Sequence, residues 1–161
     1  MPRVQLALNV DDLDAAVAFY SALFDTQPAK RRTGYANFAV ASPPLKLVLL
    51  ENPGRGGTLN HLGVEVESTG QVDAEIARLR EVGMIPAEER NSTCCYAVQD
   101  KAWVTAPGGE PWEIYTVLAD SPTFRGEPDS TDSPSGTGDA CCGAAQTTGQ
   151  TVAAGSGAGC C

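Results

Sequence analysis

The chain has 161 residues, of which 42% are hydrophobic and 19% charged, a composition that fits one globular domain with a real core. A net charge of -9 repels phosphate backbones and excludes nucleic acid as an expected partner. Apolar runs such as Leu47 to Leu50 are too short to cross a membrane, and the start, Met1-Pro2-Arg3-Val4-Gln5, lacks the apolar centre of a signal peptide, so the cytoplasm is the expected location.

Val4 to Val10 alternates like a strand. Asp11 and Asp12 offer a helix cap, and Leu13, Ala16, Val17, Tyr20, Leu23 and Phe24 recur at helical spacing. Arg31-Arg32 falls on a short strand before Gly34. Tyr35 to Val40 and Leu45 to Glu51 read as strands, joined by a Ser42-Pro43-Pro44 turn. The order then repeats. His61 to Val66 matches Gln5 to Val10 residue by residue, and Ser68-Thr69 can cap a helix carrying Val72, Ile76, Leu79 and Val82, with Gly83 as its stop. Strands are expected at Met84 to Ala87, Ala102 to Thr105 and Trp112 to Leu118, with the polar stretch Asn91 to Lys101 forming a loop over the mouth of a cavity. The expected fold is α+β: two strand–helix–strand–strand–strand modules, about residues 2–52 and 58–119, curled around a cavity. Residues 1–119 form that domain. From Asp120 the sequence is Gly, Ser, Thr, Ala, Pro and Asp, a texture expected of a flexible tail, 120–161.

All six cysteines are adjacent to another: Cys94-Cys95, Cys141-Cys142 and Cys160-Cys161. Adjacent cysteines cannot staple distant segments, as a secreted disulfide framework does, and a reducing cytoplasm keeps them as dithiols suited to thiophilic metals and metalloids. The tail pairs, Cys141-Cys142 and Cys160-Cys161, could collect or pass on such an element, or be incidental to a low-complexity segment.

His61 is the only histidine. It occupies the position equivalent to Gln5, so a pseudo-twofold axis would bring the two together in the cavity. Glu113 is a carboxylate among bulky apolar residues on the last strand; matching Pro44 to Pro111 sets Lys46 as its counterpart, and a charged lysine cannot ligate a metal. Gln5, His61 and Glu113 then offer an amide, an imidazole and a carboxylate on one face of a metal, the arrangement of a facial triad. Taken singly, each has a plainer role: His61 as a satisfied core residue, Gln5 facing solvent, Glu113 paired with Lys46 or Arg78.

The repeat resembles the glyoxalase/bleomycin-resistance/extradiol-dioxygenase, or vicinal oxygen chelate, superfamily over about residues 2–119. Within it, Asn-Ser-Thr-Cys-Cys-Tyr-Ala-Val-Gln-Asp-Lys at 91–101, followed by Trp103-Val104-Thr105 and Pro111-Trp112-Glu113, resembles the organoarsenical carbon–arsenic lyases, whose relatives also include proteins called cadmium-induced. The resemblance implies an enzyme with Fe(II) on Gln5, His61 and Glu113, dioxygen as co-substrate, and a trivalent organoarsenical held by Cys94 and Cys95. Cleavage of its carbon–arsenic bond would release arsenite. Extradiol dioxygenases place histidine where Gln5 stands, whereas glyoxalases also use glutamine there. Trp112 and Tyr115 are candidate cavity-wall residues, with core packing the expected role of at least one. An alternative reading is a cadmium- or arsenic-binding resistance protein that sequesters through its dithiols without catalysis. Both modules lie in one chain, so a monomer or a homodimer would serve.

Overall fold

The computed structural model describes residues 2–125; the Cys141-Cys142 and Cys160-Cys161 pairs lie outside them. The first module comprises β1 (Arg3–Val10), α1 (Leu13–Phe24), β2 (Lys30–Arg32), β3 (Tyr35–Val40) and β4 (Leu45–Glu51). The second comprises β5 (Leu59–Glu65), α2 (Thr69–Glu81), β6 (Ala87–Cys94), β7 (Ala97–Thr105) and β8 (Pro111–Asp120). The strands form one sheet in the order β2-β3-β4-β1-β5-β8-β7-β6, each half repeating the other across an antiparallel β1–β5 pair in which Leu6 faces Leu62. The two strand–helix–strand–strand–strand modules expected from the repeat are the ones observed. No helix among the described residues is long and apolar enough to cross a membrane.

Period-two alternation sorts the side chains. Leu6 and Leu8 of β1, Ala36, Phe38 and Val40 of β3, and Leu47 and Leu49 of β4 pack with Leu13 and Val17 of α1. Val72 and Ile76 of α2 cover Ala102 of β7. The opposite face carries the polar residues Gln5, Asn9, Lys46, His61 and Glu113, all buried. Helix ends follow local chemistry. Asp12 caps α1 by accepting from Ala15 N at 2.9 Å, while Asp11 instead accepts from Gly54 and Gly56 N at 2.7 and 2.9 Å. Ser68 caps α2, and Gly83, at φ +84°, lets Met84 N reach Leu79 O at 3.0 Å.

Three expectations need correction. Met84 to Ala87 is not a strand; pairing starts at Ala87. The stretch from Asn91 to Lys101 is not a loop but the facing ends of β6 and β7, joined by a tight turn at Cys95-Tyr96, with Cys94 paired to Ala97. β6 is an edge strand whose polar residues face solvent, so it shows little of the apolar alternation that marks a half-buried strand. Finally, the register pairs Gly63 with Glu113 and its repeat-equivalent Ala7 with Val48. Val48, not Lys46, is the counterpart of Glu113. The slip is two residues because Pro44 ends a turn outside β4, whereas Pro111 opens β8. A shift of two keeps Lys46 on the same face, and valine is no more a ligand than lysine.

Ala119, taken as the domain end, lies inside β8, and the chain continues in contact with the core. Ser121 N donates to Tyr96 O at 2.9 Å, Cys95 N donates to Phe124 O at 2.7 Å, and Cys94 and Arg125 form a bridge. The Phe124 ring lies 5.5 Å from Tyr96 and 6.4 Å from Tyr35. A chain ending at Ala119 is therefore expected to melt roughly 5–10 °C below one ending at Arg125, the scale of a loss of 1–2 kcal/mol in a small domain. Equal melting temperatures in calorimetry would show that 120–125 adds nothing to the fold.

Candidate active site

One cavity of about 200 Å³ is lined by Gln5, His61, Glu113, Cys94 and Cys95 together. β1, β5 and β8 supply the first three. Because β1 and β5 are antiparallel, Gln5 and His61 sit diagonally across the ladder, and parallel β8 brings Glu113 beside Gly63. Gln5 Nε2 lies 2.9 Å from His61 Nε2 and 2.5 Å from Glu113 Oε1, and the His61 and Glu113 atoms are 3.3 Å apart. Gly63 leaves this space open: a Cβ there would stand 2.9 Å from Glu113 Cγ and 3.3 Å from Gln5 Cβ.

Neighbouring amides fix the imidazole. His61 Nδ1 is 2.7 Å from Asn60 Oδ1. Asn60 and Asn52 both donate to Asn9 Oδ1, at 3.0 and 3.2 Å, and Asn9 Nδ2 donates to Thr58 Oγ1 at 2.9 Å. With its nitrogen engaged by Asn9, Asn60 presents oxygen to Nδ1. That places the imidazole proton on Nδ1 and turns the Nε2 lone pair to the triad, the tautomer of a metal ligand.

Glu113 is 4% exposed. Burial would raise its pKa, but the adjacent His61 ring and the charges of Lys101 and Lys46 outweigh it and hold the carboxyl below the usual carboxylate range. Lys101 is itself 1% exposed, 3.7 Å from Glu113 and 3.7 Å from Glu89. Burial opposes its charge, yet Glu113, Cys94 and Glu89 hold its pKa above the usual lysine value. Its ammonium stands 5.2 Å over the Trp103 ring, which in turn meets His61 edge-on at 5.5 Å. The donor set fits a divalent cation that tolerates nitrogen and oxygen: an imidazole lone pair, an ionised carboxylate and an amide converge within hydrogen-bond distance on strands.

Cys94 ends β6 and Cys95 opens the turn, with their sulfurs 3.1 Å apart. The pair is a dithiol, not a disulfide. Hydrogen bonding from Cys95 lowers the Cys94 pKa to about 7 against the effect of burial, with Lys101 helping; Cys95 is correspondingly pushed well above the usual thiol value. The pair thus gives up one proton easily and the second with difficulty. Cys94 also feels the charge of Glu113, so thiols and triad share one electrostatic environment rather than standing apart.

Tyr115, a candidate wall residue, is fully buried and bonded to Gln5; Trp112 is partly exposed. The residues that sequence reading left without a role are Lys101, Asn60, Asn9, Gly63 and Tyr35. A polar Asn60 immediately before the only histidine was the one available signal; nothing in the sequence marked Lys101 as buried.

A family model described as Glyoxalase/Bleomycin resistance protein/Dioxygenase superfamily matches residues 3–114. The chain is 66% identical over 142 residues to the cadmium-induced protein CadI of Mycobacterium tuberculosis, covering 88% of this chain and 93% of that one. It is 60% identical over 131 residues to a trivalent organoarsenical cleaving enzyme of Thermomonospora curvata, covering 81% and 87%. Among solved structures, the Mn(II)-bound glyoxalase of Novosphingobium aromaticivorans aligns with a TM-score of 0.54 at 19% identity, covering 80% of this chain and 44% of that one. Methylmalonyl-CoA epimerase of M. tuberculosis aligns with a TM-score of 0.53 at 20% identity, covering 70% and 85%. At these identities the two structures share the fold.

The dithiol yields a pH prediction. Alkylation of Cys94 by iodoacetamide, followed by mass spectrometry, should reach half its maximal rate near pH 7, since the thiolate is the nucleophile. Cys95→Ala removes the hydrogen bond that lowers this value and leaves burial to act, so the midpoint should move up toward or past the ordinary thiol range. A midpoint still near 7 would show that Cys95 does not set it.

Proposed function

Because the chain belongs to the Glyoxalase/Bleomycin resistance protein/Dioxygenase superfamily, we propose that its cavity is the active site of an Fe(II)-dependent carbon–arsenic lyase. Its substrates are trivalent organoarsenicals, methylarsenite and trivalent aromatic arsenicals, with dioxygen as co-substrate. The observation that carries this reading is a soft dithiol and a Gln–His–Glu triad lining one cavity. The name of the 60% identical relative, a trivalent organoarsenical cleaving enzyme, supports it.

Binding follows from thiol chemistry. Each cysteine displaces one hydroxyl of an organoarsonous acid: an arsenic–sulfur bond forms, an arsenic–oxygen bond breaks, and the thiol proton leaves with the hydroxyl as water. Cys94, the readily ionised member, attacks first. The product, R–As(S–Cys)₂, is neutral, so a cavity wall as buried as Cys94 can hold it without stranding a charge. The organic group remains the third substituent on arsenic, held within the cavity that the triad lines.

Gln5, His61 and Glu113 would hold the iron, with Asn60 fixing the imidazole and Lys101 and Lys46 balancing the carboxylate. Ferrous iron, when bound, supplies the reaction with dioxygen that closed-shell side chains cannot perform. For methylarsenite the atoms balance as one dioxygen consumed and arsenous acid and formaldehyde formed. The two modules of one chain build the whole site, so a monomer or a homodimer suffices. The enzyme acts in the cytoplasm, where the dithiol stays reduced.

A sequestering protein is the second reading, favoured by the cadmium-induced relative and by the pairs Cys141-Cys142 and Cys160-Cys161. It leaves the triad without a purpose. The decisive assay is anaerobic loading with Fe(II), then methylarsenite and oxygen, with arsenite measured. His61→Ala and Glu113→Ala should each lower turnover at least a hundredfold. Cys94→Ser and Cys95→Ser should lose trivalent arsenical binding yet retain iron, because a hydroxyl is neither soft nor readily deprotonated. No arsenite from the wild type, together with loss of cellular resistance on removing the four tail cysteines, would favour sequestration.

A further inference from the structure

Tyr115 presents the triad with a hydrogen-bonding conflict. Its phenolic oxygen lies 2.5 Å from Gln5 Oε1 and 2.9 Å from Glu65 Oε2. A phenol has one proton and cannot donate to both. Glu65 is an anchored carboxylate: Arg3 donates to its two oxygens at 3.2 and 3.1 Å, and Lys46 stands 3.3 Å away. It has no proton to give. The other partner can change, because the oxygen and nitrogen of a glutamine amide exchange places by a half-turn of the terminal group at almost no steric cost.

With Gln5 so turned, its Nε2 donates to the Tyr115 oxygen, Tyr115 donates to Glu65, and each proton has one acceptor. Gln5 Oε1 then stands where Nε2 stood, 2.9 Å from His61 Nε2 and 2.5 Å from Glu113 Oε1. His61 has its proton on the far side, toward Asn60. Three lone-pair donors thus face one another with no hydrogen between them, an arrangement that repels itself unless a cation sits among them.

We propose that Tyr115 and Glu65 are positioning residues that turn the Gln5 carbonyl oxygen inward and so make a neutral amide into the third metal ligand. The relay runs from Arg3 and Lys46 through Glu65 and Tyr115 to Gln5, all within β1, β4, β5 and β8. Without it, the amide would present its nitrogen and bond to Glu113, and the site would have two ligands. This inference rests on the triad being the metal site.

The test is titration of the full chain with Co(II), read by the metal's visible absorption and by competition with a chelator. Tyr115→Phe should weaken Co(II) about tenfold or more, the scale of a lost ligand-orienting partner. In a Gln5→Glu background, where either oxygen can face inward, adding Tyr115→Phe should cost less than about threefold. Phenylarsine oxide, titrated in parallel, should bind Tyr115→Phe as it binds the wild type. The proposal is overturned if Tyr115→Phe leaves Co(II) affinity unchanged, if it costs the same in both backgrounds, or if phenylarsine oxide affinity falls in step, since tyrosine would then only be packing. Failure of the underlying triad is recognised separately, by His61→Ala binding Co(II) as tightly as the wild type.

Discussion

The antiparallel pairing of β1 with β5 is the constraint on which the rest of the molecule depends. It joins the two halves of the sheet, and its register puts Leu6 opposite Leu62 at the pseudo-twofold axis. A slip of β5 by one residue would turn His61 away from the cavity that Gln5 faces and send Leu62 into it. The flanking positions are Ala7, paired with His61, and Gly63, paired with Gln5. Small residues are needed there, because the triad side chains cross the ladder diagonally and Gly63 already lies against Glu113.

That geometry also fixes the electrostatics. Placing Glu113 next to Gly63 buries a carboxylate, and a buried carboxylate is costly unless paired. Lys101 arrives from β7 and Lys46 from β4, and their charges act on Glu113 from neighbouring strands. Each lysine has a second carboxylate: Glu89 for Lys101 and Glu65 for Lys46. The charges are linked across strands, so changing any one disturbs several neighbours. Lys101 also favours the thiolate of Cys94, which ties the dithiol to the same network as the triad.

Much of this was legible in the sequence, because the repeat is a physical pattern. Matching Gln5 to His61 required only strand alternation and a duplicated order of elements, and the diagonal approach of the two side chains follows from antiparallel pairing. Lys46 was matched to the wrong partner because prolines were aligned, and a proline can end a turn or open a strand. The hairpin of β6 and β7 was hidden for two reasons. Asn91, Ser92 and Thr93 are common in loops, and Cys95-Tyr96 carries none of the Asn-Gly or Asp-Gly chemistry that usually announces a two-residue turn. Residues 120–125 looked like tail because their contacts are mainly backbone hydrogen bonds and one ring, which composition does not register.

The turn residues explain why the thiols sit where they do. Along a strand, consecutive side chains point to opposite faces, so two adjacent cysteines in extended chain cannot converge on one atom. Convergence requires the second to leave the strand conformation. Cys95 does so at φ 57°, followed by Tyr96 at φ 62°, and the sulfurs come within 3.1 Å. Left-handed backbone at residues with side chains costs on the order of 1–3 kcal/mol each and persists only where the surroundings impose it. Here they do: Phe124 O receives Cys95 N, while Tyr96 O accepts from both Ser121 N and, at 3.0 Å, Lys30 Nζ. The segment after β8 lies beyond residue 114, where the family match ends, and it holds the turn that carries the two thiols. The cavity with its triad needs only the two modules. Two adjacent thiols that converge at its edge need, in addition, a strained turn and something to hold it.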